Sequence, residues 1–176
     1  MGLEIERRFL VTGDGWRHGA RPGAVVQGYL STDPRRVVRV RLADGGAWLT
    51  VKGPADGPAR AEFEYPVPPE DARELLALCG DAVIEKLRWR LRHAGRDWVV
   101  DEFAGANGGL VLAEIELAAA DQPFALPPWV GAEVTGDHRY SNASLALRPW
   151  PAFAGPGSGG GPGEGPGGAA PDAPEA

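Results

Sequence analysis

Apolar and polar residues alternate along most of this chain with a period of two. The alternation runs through residues 3–11, 25–31, 37–42, 47–52, 61–67, 83–93, 96–103 and 110–117, and predicts eight β-strands. Turn formers separate them: Asp44-Gly45-Gly46, Gly53-Pro54 through Gly57-Pro58, Ala94-Gly95, and Gly105 through Gly109. A helical period appears in one clear place. Pro68-Pro69-Glu70-Asp71 makes an acidic, proline-led start, and Leu75, Leu76 and Leu78 form a stripe that ends at Gly80. A second, short helix is expected over residues 141–147 with Ser141 as its cap, and the proline-rich residues 122–134 read as a packed surface loop.

The polar halves of the strands are unusual. Glu4, Glu6 and Arg8 share a face, with Leu3, Ile5 and Phe9 opposite. Arg39 and Arg41 share one, as do Thr50 and Lys52, Glu62 and Glu64, the series Lys86, Arg88 and Arg90, and the pair Glu114 and Glu116. A slip of one residue would exchange the two faces of any strand, so the pattern specifies register strongly. Charge is also sorted by strand, with acids alone on some and bases alone on others, whereas a solvated face scatters its signs. About eight strands can close into a barrel around a lumen. The expected fold is therefore mainly β (α+β): an eight-stranded antiparallel closed barrel with a charged lumen, flanked by a few helices. Its outward apolar faces need cover from the helices, the proline-rich loop or a partner, which leaves room for a homodimer.

Composition narrows the picture. Of the 176 residues, those from Phe153 onward are Gly- and Pro-rich, with too little apolar surface to offset ordering. A domain over residues 1–152 and a disordered tail over 153–176 are expected. The tail holds Glu164, Asp172 and Glu175 and no base, which leaves the domain −3 of the formal net charge of −6. Such a domain is poorly suited to nonspecific nucleic-acid binding, and no nucleic-acid partner is expected. Cys79 is the single cysteine, so neither a disulfide framework nor a cysteine zinc site is available within one chain, and its helical setting reads as packing. No apolar run is long enough for a membrane span and the first residues enter a charged strand at once, so cytoplasmic residence without a membrane partner is expected.

A lumen carrying both signs needs a charged ligand or a network of internal pairs, since unpaired buried charges are costly. Arg and Lys suit phosphate oxygens, and carboxylates suit hard cations such as Mg²⁺ or Mn²⁺. The two together fit a polyphosphate with a divalent metal.

The opening Glu4-Ile5-Glu6-Arg7-Arg8 closely resembles the Glu-x-Glu-x-Lys signature of the CYTH family, the triphosphate tunnel metalloenzymes. Further motifs follow in the family's order: Gln27-Gly28-Tyr29-Leu30, Arg39-x-Arg41, Thr50-Val51-Lys52, Glu62-Phe63-Glu64, Glu85-Lys86-x-Arg88, Val100-Asp101, Ala113-Glu114-Ile115-Glu116 and Asp137-His138-Arg139-Tyr140. The resemblance spans about residues 2–150 and is nearest to the short bacterial branch, whose members include inorganic triphosphatases. It implies metal-dependent hydrolysis of a triphosphate by water. It also implies triphosphate binding by Arg39, Arg41, Lys52, Lys86, Arg88 and Arg139, with Arg8, Tyr29, Arg41 and Lys86 nearest the chemistry. Glu4, Glu6, Glu62, Glu64, Asp101, Glu114 and Glu116 match the acidic positions around the metal, with Glu4, Glu6 and Glu116 foremost. Thiamine triphosphatases and class IV adenylyl cyclases share the family, and a binding module for polyphosphate or nucleotide is the non-enzymatic alternative.

One position departs from the family pattern. Arg8 stands where the signature has lysine, which in some members works with a tyrosine at the position of Tyr29. Arginine binds phosphate but does not give up its proton, so it cannot serve as a general base. Among single residues, His138 is open between the lumen mouth and the surface. Trp48, Trp89 and Trp98 read as packing in the shell or at an interface, and Arg60 and Arg92 as solvated.

Overall fold

The structure is a computed structural model that describes residues 2–18, 21–56 and 59–154, with side chains described over 5–18, 21–54 and 60–154. The expected tail falls outside the described residues from 155 onward. The strands are β1 (Gly2–Val11), β2 (Pro22–Ser31), β3 (Val37–Ala43), β4 (Gly46–Asp56), β5 (Ala59–Pro66), β6 (Val83–His93), β7 (Arg96–Phe103), β8 (Val111–Glu116) and β9 (Val130–Glu133). The helices are α1 (Pro69–Ala77) and α2 (Asn142–Leu147). All eight predicted strands form, and Ser141 caps α2 by accepting from the Ser144 N–H.

The pairing order is β5-β4-β3-β2-β6-β7-β8-β1, and β1 also pairs with β5, so the sheet returns on itself as an antiparallel barrel. The length of β1 makes this closure. Its first residues bond to β5, Ile5 lying opposite Ala59, while Glu6 to Leu10 run opposite Glu116 to Leu112 of β8. Where β5 has ended, β9 takes over that edge, with Phe9 opposite Glu133 and Val11 opposite Val130. Residues 122–134 therefore differ from the expected loop. Their last part is drawn into a strand by the backbone groups of β1 that β5 leaves open.

Among the described turns, two hairpins close with two residues of positive φ. Asp44-Gly45 has φ of 50° and 77°, and Ala94-Gly95 has 47° and 79°. Positive φ at both central residues is the type I′ geometry, whose twist matches that of the flanking strands.

The outer apolar faces are covered largely by the chain itself. Ile5, Phe9, Trp89, Trp98, Val100, Ala113 and Ile115 form one cluster under Trp16 and Trp129, with Phe124 packed against it. On the other side α1 and the turn after it lie over β2 to β4, packing Ala72 and Cys79 on Val40 and Ala47. The approach of α1 to β2 is close. A Cβ added at Gly28 would lie 2.7 Å from Cys79 Sγ, so glycine is required there by contact. Phe63 and Tyr65 on β5 stay largely exposed.

The inward face has two zones along the barrel. Arg8, Arg39, Lys86, Asp101 and Glu114 give way, on the same face of the same strands, to Leu10, Val37, Ile84, Phe103 and Leu112. These apolar residues pack with Leu110, Tyr140, Leu145 and Trp150. The sequence reading sent apolar residues outward only. In the structure one end of the interior is apolar and is sealed by α2 and the turn that follows. Asn107 holds that seal, donating from Nδ2 to the Leu145 carbonyl at 3.2 Å and accepting from the Trp150 N–H at 2.8 Å.

Candidate active site

Two walls of alternating charge face one cavity of about 570 Å³. The first wall is built by β6, β7, β8 and β1, whose register sets Arg88 opposite Asp101 and Arg8 opposite Glu114. Lys86 Nζ lies 2.6 Å from Asp101 Oδ2 and 2.9 Å from Asn142 Oδ1 of α2. Arg88 grips the same carboxylate with two bonds of 2.7 Å and reaches Glu114 Oε2 at 3.6 Å. Arg8 donates from Nε to Glu114 Oε1 at 2.9 Å and from Nη2 to Glu6 Oε1. The chain of partners thus runs unbroken from the helix that seals the barrel to β1.

The second wall comes from β3, β4 and β5. Arg41 Nη2 lies 3.1 Å from both Glu64 oxygens, and Arg39 Nη2 lies 3.3 Å from Glu64 Oε2 and 3.0 Å from Thr50 Oγ1. Lys52 Nζ reaches Glu62 Oε2 at 3.3 Å. Arg60 also lines the cavity here. Bases exceed acids on this wall, and the buried Nε–H groups of Arg39 and Arg41 have no acceptor. Unmatched buried donors are uncommon and costly, so these two mark a place where anionic oxygens would be welcome.

The environment decides the protonation states. Burial works against charge on Arg8 and Arg88, but the carboxylates beside them outweigh it and raise both guanidinium pKa values. Burial likewise opposes ionisation of Asp101, yet Lys86 and Arg88 hold its carboxyl well below the usual range. Lys86 is pushed down to about 8 by burial, against the pull of Asp101. Burial pushes the Tyr29 phenol up to about 12 in spite of Arg39 and Arg8. Tyr29 is therefore a neutral hydroxyl at physiological pH, and it accepts a hydrogen bond from Gln27 Nε2 at 2.9 Å.

Glu6, Arg8, Tyr29, Arg39, Arg41, Lys52, Glu62, Glu64, Arg88 and Glu114 from the sequence reading all line the cavity. Lys86 and Asp101 stand behind it, buried and paired with each other, Lys86 also donating to Asn142 and Asp101 also accepting from Arg88. Glu116 is directly opposite Glu6 in register but exposed and outside the lining. Arg139 turns outward to Asp137 and stacks on Phe153. The side chain of Glu4 lies outside those described, although its backbone pairs with Arg60. His138 lines the cavity. Trp48, expected in the shell or at an interface, lies on the inner face of β4 with the Arg41 guanidinium over its ring, 5.2 Å from the centroid. Arg60 was read as solvated, yet its alternation with Glu62 and Glu64 already placed it on the inward face. Asn142, Ser141 and Ser144 carried no sequence signal, because a six-residue helix does not reveal which wall it meets.

The carboxylates suit a hard cation. Glu6 and Glu114 converge on one positive charge, the Arg8 guanidinium, and offer oxygen donors only. Among the described residues no three His, Cys, Asp or Glu side chains are grouped to hold a metal by themselves. Mg²⁺ usually takes one or two carboxylates and completes its shell with water and phosphate oxygens, which matches this pair.

A closed antiparallel barrel whose interior bears facing rows of bases and acids defines a polyanion-binding tunnel protein. The chain belongs to the CYTH domain family, whose model matches residues 2–149. It is 46% identical over 154 residues to an inorganic triphosphatase of Acetivibrio thermocellus, an alignment that covers 87% of this chain and 99% of that one. It is 36% identical over 151 residues to an inorganic triphosphatase of Nitrosomonas europaea, covering 82% and 97%. A crystal structure of an inorganic triphosphatase superposes with a TM-score of 0.61 at 34% identity, over 84% of this chain and 96% of the other. Triphosphatases of this family depend on metal in general. No helix among the described residues is long and apolar enough to cross a membrane.

Proposed function

We propose that this protein is a metal-dependent triphosphatase that hydrolyses the terminal phosphoanhydride of a triphosphate, with inorganic triphosphate as preferred substrate and Mg²⁺ or Mn²⁺ as the metal. One observation carries the reading. The base-rich wall of Arg39, Arg41, Lys52 and Arg60 faces the Glu6–Arg8–Glu114 group across a single cavity. The names of the relatives point the same way.

In this reading Glu6 and Glu114 hold the cation, with Glu4, Glu62, Glu64 and Glu116 as further acidic positions. When bound, the metal neutralises phosphate oxygens and polarises the phosphorus. Arg39, Arg41 and Lys52 bind the phosphate oxygens, and Arg88 meets the developing charge from the opposite wall. Their partners Glu62, Glu64 and Asp101 keep them oriented until the anion arrives. Asp101 and Lys86 support Arg88 from behind the cavity. Tyr29 donates its hydroxyl proton to an oxygen of the substrate. Water is the nucleophile, and Glu6 and Glu114 are cavity carboxylates able to orient it. Arg139, turned outward in the structure, enters only if the turn at residues 138–140 rotates.

The test is a phosphate-release panel with inorganic triphosphate, thiamine triphosphate, ATP and longer polyphosphate, each with Mg²⁺ and Mn²⁺. Release is expected to be fastest from inorganic triphosphate. Absence of release from every compound with either metal sinks the reading, and cyclic AMP formed from ATP would replace it with cyclase activity. A second reading, a polyphosphate-binding module without turnover, is favoured by Arg8, which cannot accept a proton. Tight triphosphate binding without release, with turnover gained in Arg8→Lys, would select it.

A further inference from the structure

The position of Arg8 has a consequence for how the site loads. Its side chain is 9% exposed, and its planar fork spans two strands, with Nε on Glu114 of β8 and Nη2 on Glu6 of its own strand. These are the two carboxylates that meet at one positive charge in the cavity. The guanidinium is an internal cation seated between them, and the fixed spacing of its nitrogens lets it engage both at once. The charge cannot be shed, because a guanidinium keeps its proton at any working pH. Arg88 approaches Glu114 from the other side, so that carboxylate is doubly engaged.

A divalent metal coming between Glu6 and Glu114 meets a guanidinium charge already seated there, and taking that place displaces two charge-assisted hydrogen bonds in a largely buried setting. The released guanidinium then needs new anionic acceptors. Glu62 and Glu64 cannot serve, since they are engaged by Lys52, Arg39 and Arg41. Phosphate oxygens entering the cavity can serve.

We propose that Arg8 is a positioning residue that blocks the metal site in the free protein and yields it only as polyphosphate arrives, so that metal and triphosphate bind cooperatively. The inference rests on the triphosphatase reading and concerns Arg8 as it stands in this chain. A lysine at the same position would place a single point charge there. It could not hold both carboxylates in a fixed fork, and the block would weaken.

The experiment is calorimetric titration of Mn²⁺ into the full chain, alone and with a non-hydrolysable imido analogue of triphosphate, corrected for Mn²⁺ bound by the analogue itself. Wild type is expected to bind Mn²⁺ weakly alone and about tenfold or more tighter with the analogue. Arg8→Lys keeps the charge and is expected to bind Mn²⁺ alone about tenfold tighter than wild type, with a smaller gain from the analogue. Arg8→Gln, which removes the charge, is the second variant and is expected to bind Mn²⁺ tighter still. Both gains should vanish when Glu6→Gln is added. Equal Mn²⁺ affinity in wild type and both Arg8 variants without analogue overturns the proposal, as does a gain that survives Glu6→Gln. Failure of the triphosphatase reading shows separately, as wild type that releases no phosphate from triphosphate.

Discussion

Arg88 and Asp101 lie directly opposite each other on β6 and β7, and the guanidinium of one meets the carboxylate of the other through two parallel bonds of 2.7 Å. Asp101 also receives Lys86, so one buried carboxylate restrains two bases beneath the cavity.

Asp101→Asn leaves two buried cations without their partner and is expected to cost about 3–5 kcal/mol. The pH dependence has a defined sign. Because the folded pKa of Asp101 is depressed, its contribution is fully present above its unfolded pKa of about 3.9 and is lost as pH falls through the folded value. Urea unfolding of both proteins from neutral to strongly acidic pH should show the gap between them closing at the acid end. A gap that stays constant with pH would rule out the ion pair as its source.

Arg41 is held at the rim by Glu64 and Trp48, with an Nε–H that lacks an acceptor. Arg41→Ala is expected to lower kcat/KM for phosphate release by about 100-fold or more, the scale of a lost charge-stabilising donor. The thermal midpoint should move little. Arg92→Ala, at an exposed position near the end of β6, serves as the control and should leave the rate unchanged.

Gly28→Ala puts a methyl group 2.7 Å from Cys79 Sγ and 3.0 Å from Leu76 Cδ2. Overpacking of this kind is expected to destabilise by about 1–3 kcal/mol, read from chemical denaturation. Adding Cys79→Ala removes the nearest atom and should recover part of the loss. A double variant no better than the single one would mean that α1 does not press on β2 as described.

Ala94 holds a φ of 47° in its hairpin turn, where an L side chain with no polar group gains nothing from the left-handed region. Ala94→Gly or Ala94→Asn is expected to stabilise by about 1 kcal/mol, raising the thermal midpoint with activity unchanged. The other turn of this type already carries Asp44, which also bonds Arg90 at 2.9 Å.

Alternation alone determined much of this protein. Glu62 beside Glu64, or Lys86 beside Arg88, can share a face only on a strand. Eight such strands with sorted charges implied a closed sheet and an inward face of both signs. The same parity placed Arg8, Arg39, Arg41 and Glu114 in the cavity, because side-chain direction in a strand follows from position by a period of two. Tertiary structure decided depth and partners, which parity does not encode. Lys86 and Arg88 share a face, yet one is sealed behind Asn142 while the other reaches the cavity. Arg139 sits in a short 3-10 turn with no such period, and a local bond to Asp137 turned it away. Strand tilt, closure through β1 and the seating of α2 set how far along the axis each residue lies, and these depend on contacts between residues distant in the chain. The sequence determined which side chains point inward, and the closed barrel decided which of them a ligand can touch.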